Sequence, residues 1–409
     1  MILVIVADSV RADALGCYGG PATPVIDGFA DEGVVFERTI TAAPWTVPSF
    51  AAMVTGIYSH RLGLAKWEQP WPRDARTIFD VARDAGLETA SFVFDPRFMF
   101  CHEPRAAVVG SSQETGALLE WLRAHRGRPC FVLVHYWWTH IPYIARPMST
   151  RVWRHMTDQV LAALRLSPEA RDGVKRLYEH AVRQFSESWL PAVLDAVDLG
   201  ESWVFVTADH GESFGERGGP ESVHDVFDLH GNALFDEVLR VPLIVRPPGG
   251  GPARRVGGLA RTVDLMPTVA DVLGRSGTPD LDALDGRSLL PCILDGRDAP
   301  APEAVSVMNR DVLRAPELPN RSEDLWTGFA LTTATGQKLI WNLSEGRRSA
   351  FDLTTDPGET TDLADGPGDA FAGGWERLSA ELARARVGEL TPADADLLRM
   401  RLRALGYLT

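Results

Sequence analysis

The sequence predicts an α/β protein. A doubly wound, mostly parallel sheet flanked by helices is expected over residues 1–302, followed by a smaller C-terminal antiparallel sheet plus helices over residues 303–409. Three observations carry this expectation. The runs Ile2 to Ala7, Cys130 to Val134 and Ser202 to Thr207 are continuously apolar and rich in β-branched residues, as in strands covered on both faces. Amphipathic stretches of helical period separate them, which is the order of a parallel sheet. From about Glu303 the texture changes to alternating segments joined by Gly- or Asn-containing turns, which fits a small antiparallel sheet.

The first strand ends at Asp8-Ser9. A Gly-rich turn over Gly16 to Gly20 leads to a helix from about Thr23-Pro24 to Glu32, with Thr as cap and Pro in the first turn. Val34 to Phe36 is short and apolar. Thr46 then stands just before a helix opening at Val47, with Pro48 in its first turn and Gly56 ending it in the left-handed conformation. A helix is expected over Asp74 to Ala85, a strand over Thr89 to Phe94, and a helix over Gln113 to Arg126, where Leu118, Leu119 and Leu122 recur at helical spacing. The strand from Cys130 runs into His135 and His140. Met156 to Val197 reads as one short and one long helix broken at Ser167-Pro168. The strand from Ser202 ends at Ala208-Asp209-His210-Gly211-Glu212, and a long charged loop over Gly215 to Gly231 holds His224, Asp225 and His230. Loops of that length in compact domains are commonly functional. Val241 to Val245 is a further strand and Thr262 to Leu273 a helix. Gly328 to Thr333, Gln337 to Trp341 and Ser349 to Leu353 form the small sheet, followed by helices near Trp375 to Ala385 and from Thr391-Pro392 to Leu405.

Composition excludes some partners. A net charge of -14 argues against duplex nucleic acid or an anionic membrane surface, since either needs a basic face. No stretch is apolar for long enough to span a membrane. Cys17, Cys101, Cys130 and Cys292 show neither metal-type spacing nor a disulfide framework, and the apolar start is too short for a signal peptide, so a cytoplasmic location is expected. Oligomeric state leaves no trace in the chain.

In a doubly wound sheet, ligands bind beyond the carboxyl ends of the strands. Three such ends carry residues suited to a cation: Asp8, then His135 and His140, then Asp209-His210. Each has a plain structural reading, as a turn residue, a satisfied core histidine or, for Thr46, a helix cap. An adjacent Asp-His at the end of a buried strand is harder to explain by packing, because burying both without partners costs several kcal/mol. Asp8, Asp209, His210 and Thr46 are therefore the expected metal set. Two carboxylates, an imidazole and an alkoxide favour Mn or Zn, with Mg or Ca where waters complete the shell. Thr46 would be the nucleophile, activated by the ion and by the N–H groups of the helix start. His140 or His230 would protonate the leaving oxygen. Arg11 is a candidate oxyanion clamp, with a structural ion pair beside Asp8 and Asp13 as its plainer role. One metal is expected; His135, His224, Asp225 and Asp95 do not fit a second site by spacing. Trp45, Trp67, Trp71, Trp137 and Trp138 are candidates for lining an apolar pocket, and core packing explains them equally.

The segments Asp8 to Gly19, Thr23 to Asp27, Thr46-Val-Pro-Ser49 with Thr55-Gly56, and Thr207 to Glu212 resemble the sulfatase family of the alkaline phosphatase superfamily. His230-Gly, Asp236-Glu237, Arg240 to Val245, Phe351 to Glu359 and the terminal Leu405-Gly-Tyr407 extend the likeness in order over nearly the whole chain. The resemblance implies an alkaline phosphatase-like fold and a metal-dependent hydrolase or transferase of phosphate or sulfate esters. Asp8, Asp209 and His210 would be metal ligands, Thr46 the nucleophile that also touches the metal, and His140 and His230 contacts to substrate or leaving group. Three departures stand out. Thr46 occupies the position of the Cys or Ser that sulfatases proper oxidise to formylglycine, and Phe50 replaces their Arg. Ser9 stands for a usual second Asp. His230 stands near their lysine. Threonine cannot become the aldehyde, so release of sulfate through a second hydroxyl is closed to it, whereas water can attack a threonine phosphate. The chain is thereby similar to the phosphoglycerol transferase and phosphonate monoester hydrolase branches. A phosphate ester, either a phosphodiester or a phosphonate or phosphate monoester, is the expected substrate. The alternatives are a sulfatase without formylglycine and a metal-binding protein that has lost turnover.

Overall fold

The computed structural model describes residues 1–64, 71–72, 75–94, 105–146, 148–217, 229–275, 277–278, 281, 283–309, 326–366 and 370–386. The expected helix from Thr391 to Leu405, and Asp95, His224, Asp225 and Trp67, lie outside them.

The strands are β1 (Ile2–Ala7), β2 (Val34–Phe36), β3 (Thr39–Ile40), β4 (Glu88–Val93), β5 (Val108–Ser111) and β6 (Cys130–Tyr136) before the long helical stretch. After it come β7 (Trp203–Ala208), β8 (Arg240–Val241), β9 (Leu243–Arg246), β10 (Arg254–Val256), β11 (Gly258–Arg261) and β12 (Ala299–Pro300). Finally there are β13 (Glu303–Asn309), β14 (Trp326–Thr333), β15 (Gln337–Asn342) and β16 (Arg347–Asp352). The main sheet has eight strands in the order β10-β2-β9-β7-β1-β6-β4-β5, and only β9 runs against the rest. The central trio β7, β1 and β6 is parallel, so the three carboxyl ends that carry Asp209, Asp8 and His135 lie at one edge. Alternate residues of each buried strand feed two hydrocarbon layers. One is closed by Pro24–Asp31 and the helices between Thr115 and Ala196, the other by the helices Thr46–Thr55, Ile78–Asp84 and Leu265–Val272. The expected α/β class with a mostly parallel sheet is what the chain adopts.

Several elements differ from expectation. The single strand Val241 to Val245 is divided at Pro242, which has no N–H for a ladder; β8 joins β3 in a second, four-stranded sheet while β9 enters the main one. The helix expected from Asp74 starts at Ile78, where Thr77 and Asp80 form a reciprocal cap. β6 continues through His135 to Tyr136, so His135 is a strand residue and not a loop residue. The small antiparallel sheet has a fourth strand, β13, paired with β14. Among the described residues no helix is long and apolar enough to cross a membrane.

Candidate active site

β1 and β7 are paired in register, Ala7 opposite Ala208, so the residues that follow them, Asp8 and Asp209, emerge side by side. Ser9 turns the chain away with a left-handed φ of 57° and binds both carboxylates: its hydroxyl donates to Asp8 Oδ1 at 2.7 Å and its N–H to Asp209 Oδ1 at 3.2 Å. The helix Thr46–Thr55 is docked on the same edge by Ser49, whose hydroxyl donates to the Asp209 carbonyl at 2.6 Å, joined there by Thr41 at 2.5 Å. Thr46 is itself the first helical residue, one place later in the helix than expected, and Gly56 ends the helix at φ 68° as the sequence predicts. Its hydroxyl lies 3.2 Å from His210 Nε2.

Asp8, Asp209 and His210 are fully buried, and their ligand atoms all lie within 4.8 Å of one another. His210 Nδ1 is 2.7 Å from the Gly211 carbonyl, which can only accept. Nδ1 therefore carries a proton, and Nε2 is the nitrogen that faces Thr46 and Asp209. Gly211 is required here, since a Cβ would fall 2.2 Å from the Glu237 carbonyl oxygen. Asp8 Oδ2 and Asp209 Oδ2 have no hydrogen-bond partner among the described residues. Buried carboxylate oxygens without partners are costly unless a cation satisfies them, so these residues fit a divalent ion. Burial pushes Asp8 up, but His140, His135 and His210 outweigh it and hold the carboxyl well below the ordinary range. Asp209 is raised, by burial and then by the Asp8 charge. For His210 burial is outweighed by Asp209 and Asp8, and its pKa is raised.

A second layer of imidazoles adjoins this cluster. His230 packs against His210 and His140, with ring centroids 4.6 and 5.1 Å apart. His140 stacks on Trp137 at 4.1 Å and points Nδ1 at the Ile141 carbonyl, 2.9 Å away, so the neutral ring carries its lone pair on Nε2. Burial lowers its pKa to about 4 against the pull of Asp8, so it is neutral at physiological pH. His230 Nδ1 lies 2.7 Å from Glu212 Oε1, and the Tyr143 hydroxyl donates to Glu212 Oε2 at 3.0 Å. Burial pushes Glu212 up to about 8. Glu212 and Tyr143 were not singled out by the sequence reading, although Glu212 stands two places after His210 in the same motif. Arg11 is not brought to the cluster as an available cation: Asp13 binds its Nε and Nη2, and Glu216 and the Glu212 carbonyl bind its Nη1. These contacts make Arg11 an ion pair with Asp13 and Glu216 that braces the 212–216 segment.

A family model described as Sulfatase matches residues 1–275. The chain belongs to the sulfatase family. Among curated sulfatase-family proteins, the ulvan-active sulfatase of Formosa agariphila is 23% identical over 418 residues, covering 90% of this chain and 77% of that protein. In fold, the chain is similar to the phosphonate monoester hydrolase of Agrobacterium radiobacter, with a TM-score of 0.71, 20% identity and coverage of 93% and 95% of the two chains. A sulfatase-like structure from Bacteroides thetaiotaomicron aligns with a TM-score of 0.70, 18% identity and coverage of 93% and 91%. The sulfatase-family chain is thus an ester hydrolase, with an alkaline phosphatase-like fold.

Proposed function

We propose that the protein cleaves a phosphate ester, a diester or a phosphonate or phosphate monoester, through a covalent intermediate on Thr46. The observation that carries this reading is a threonine hydroxyl at a helix start, 3.2 Å from His210 Nε2, which itself lies 3.5 Å from the partnerless Asp209 Oδ2. Asp8, Asp209, His210 and the Thr46 oxygen would hold the divalent ion. A bound divalent ion would lower the pKa of the Thr46 hydroxyl and polarise the ester. Thr46 Oγ1 gives up its proton to solvent water and forms a bond to phosphorus while the bond to the leaving alkoxide breaks; the alkoxide takes a proton from His230, which Glu212 orients. Neutral His140 contacts a substrate oxygen or hydroxyl through Nε2. Water then attacks phosphorus and gives a proton back to His230, the Thr46–phosphorus ester breaks with Thr46 taking a proton from solvent, and the phosphate, phosphate monoester or phosphonate leaves; an acceptor alcohol in place of water gives transfer. A threonine ester has no second hydroxyl on its carbon, so release by elimination is closed and attack at phosphorus or sulfur must do it.

The second reading, a sulfate ester, is favoured by the names of the relatives. A cytoplasmic setting belongs to the proposal, in keeping with the free thiols Cys130 and Cys292. A panel of nitrophenyl phosphate, phosphodiester, phosphonate and sulfate esters with Mn, Zn, Mg and Ca tests both readings. Acid quenching during turnover, followed by mass analysis of the Thr46 peptide, is expected to find phosphothreonine. Turnover of sulfate alone would overturn the phosphoryl assignment, and turnover of none would leave the lost-activity reading.

A further inference from the structure

We propose that His135 is a further ligand of this centre, binding through Nε2 the same ion as Asp8, Asp209 and His210. The proposal rests on the metal reading above. Along β6, Phe131 and Leu133 point into the hydrocarbon layer that holds Phe50, while Val132, Val134 and Tyr136 point into the other. The period of two places His135 on the Phe50 side, where a fourth hydrocarbon would continue the pattern. An imidazole stands there instead, fully buried, with the Phe50 ring edge-on at 4.9 Å. Neither of its ring nitrogens has a hydrogen-bond partner among the described residues. A buried imidazole with both nitrogens idle is expensive in a folded core, so its retention calls for an occupant.

The register supplies one. Val6 pairs with His135, and Asp8 follows two places later on the same side of β1. His135 Nε2 lies 3.1 Å from Asp8 Oδ2 and 3.9 Å from Asp209 Oδ2, the two bare carboxylate oxygens. The shorter distance would suit a hydrogen bond, but the alignment does not. Two atoms bound tetrahedrally to one ion at about 2.1 Å stand roughly 3.4 Å apart. His210 Nε2 meets the same measure, 3.5 Å from Asp209 Oδ2 and 3.9 Å from Asp8 Oδ1. His135 Nε2 and His210 Nε2 thus each lie within 3.9 Å of an oxygen of both carboxylates. The set is two carboxylates and two imidazoles, which selects Zn or Mn over Ca or Mg.

The test uses full-length protein stripped of metal and titrated with Zn(II) against a chromophoric chelator. His135→Ala and His135→Phe are each expected to weaken Zn(II) by at least about 10- to 100-fold, the loss typical even for outer partners of a ligand. Zn X-ray absorption of the loaded wild type, which does not depend on how a variant folds, is expected to count two imidazoles. One imidazole in the wild type, or unchanged affinity in both variants while His210→Ala weakens binding, would overturn the role of His135 and leave the rest of the metal reading standing. A wild type that takes up no Zn(II), Mn(II), Mg(II) or Ca(II) would overturn that reading as well.

Discussion

Truncating Thr46 separates chemistry from folding. Thr46 is only 6% exposed, and Thr46→Ala removes one methyl group and one hydroxyl whose described side-chain partner is His210 at 3.2 Å. A lost hydrogen bond of this kind is worth about 1 kcal/mol and a buried methyl about 1 kcal/mol, so about 2 kcal/mol of stability is at stake. Against the roughly 5–15 kcal/mol of a typical domain this leaves nearly all molecules folded. Losing a nucleophile should remove at least about 4 kcal/mol of transition-state stabilisation, on the order of a 10³-fold fall in kcat/KM. Thr46→Ser keeps the oxygen and gives up only the methyl, so activity within about tenfold of wild type is expected. The assay is kcat/KM on the best nitrophenyl ester at saturating metal, with thermal unfolding run beside it. Thr46→Ala activity within tenfold of wild type, with a normal Tm, would refute covalent catalysis at this residue and leave an activated water as the attacking group.

Three more outcomes follow from particular contacts. Lys338 is fully buried with Nζ 2.6 Å from Asp236 and 2.8 Å from Glu359, so Lys338→Met should leave Asp236 without its ion-pair partner and Glu359 with Arg217 alone, and lower stability by about 3 kcal/mol in denaturant titration; a change below 1 kcal/mol would refute it. Burial holds His140 at about 4 against an ordinary 6.5, so its contribution to stability is present above pH 6.5 and lost as pH falls toward 4. The loss amounts to about 3 kcal/mol, and His140→Phe should flatten that part of the stability–pH curve of metal-free protein. Adding Zn(II) or Mn(II) at 100 times its Kd should stabilise the folded state by about 2.7 kcal/mol and raise Tm, and Asp209→Asn should abolish most of the rise; a chelator that leaves the wild-type Tm unmoved would count against the ion.

The order of buried strands and helices, the carboxyl ends bearing Asp8 and Asp209-His210, and a short helix beside Thr46 that stops at Gly56 were all legible in the chain, because local period, caps and apolar runs encode them. β13 was not legible: Val305 and Val307 enter one core layer and Ala304 and Met308 another, so the segment carries no one-sided alternation. The reversal of β9 and the transfer of β8 to another sheet were equally hidden, since pairing partners come from 200 residues away. The same holds for charge. Which role Arg11 takes depended on Glu216 and the Glu212 carbonyl arriving beside it, and Glu212 acquired significance only when the chain brought His230 and Tyr143 to its two oxygens. The sequence by itself determined the fold class and which residues could serve a cation and a nucleophile. Only the tertiary structure decided which of their atoms are left bare, because a buried lone pair is satisfied or orphaned by neighbours that lie far off along the chain.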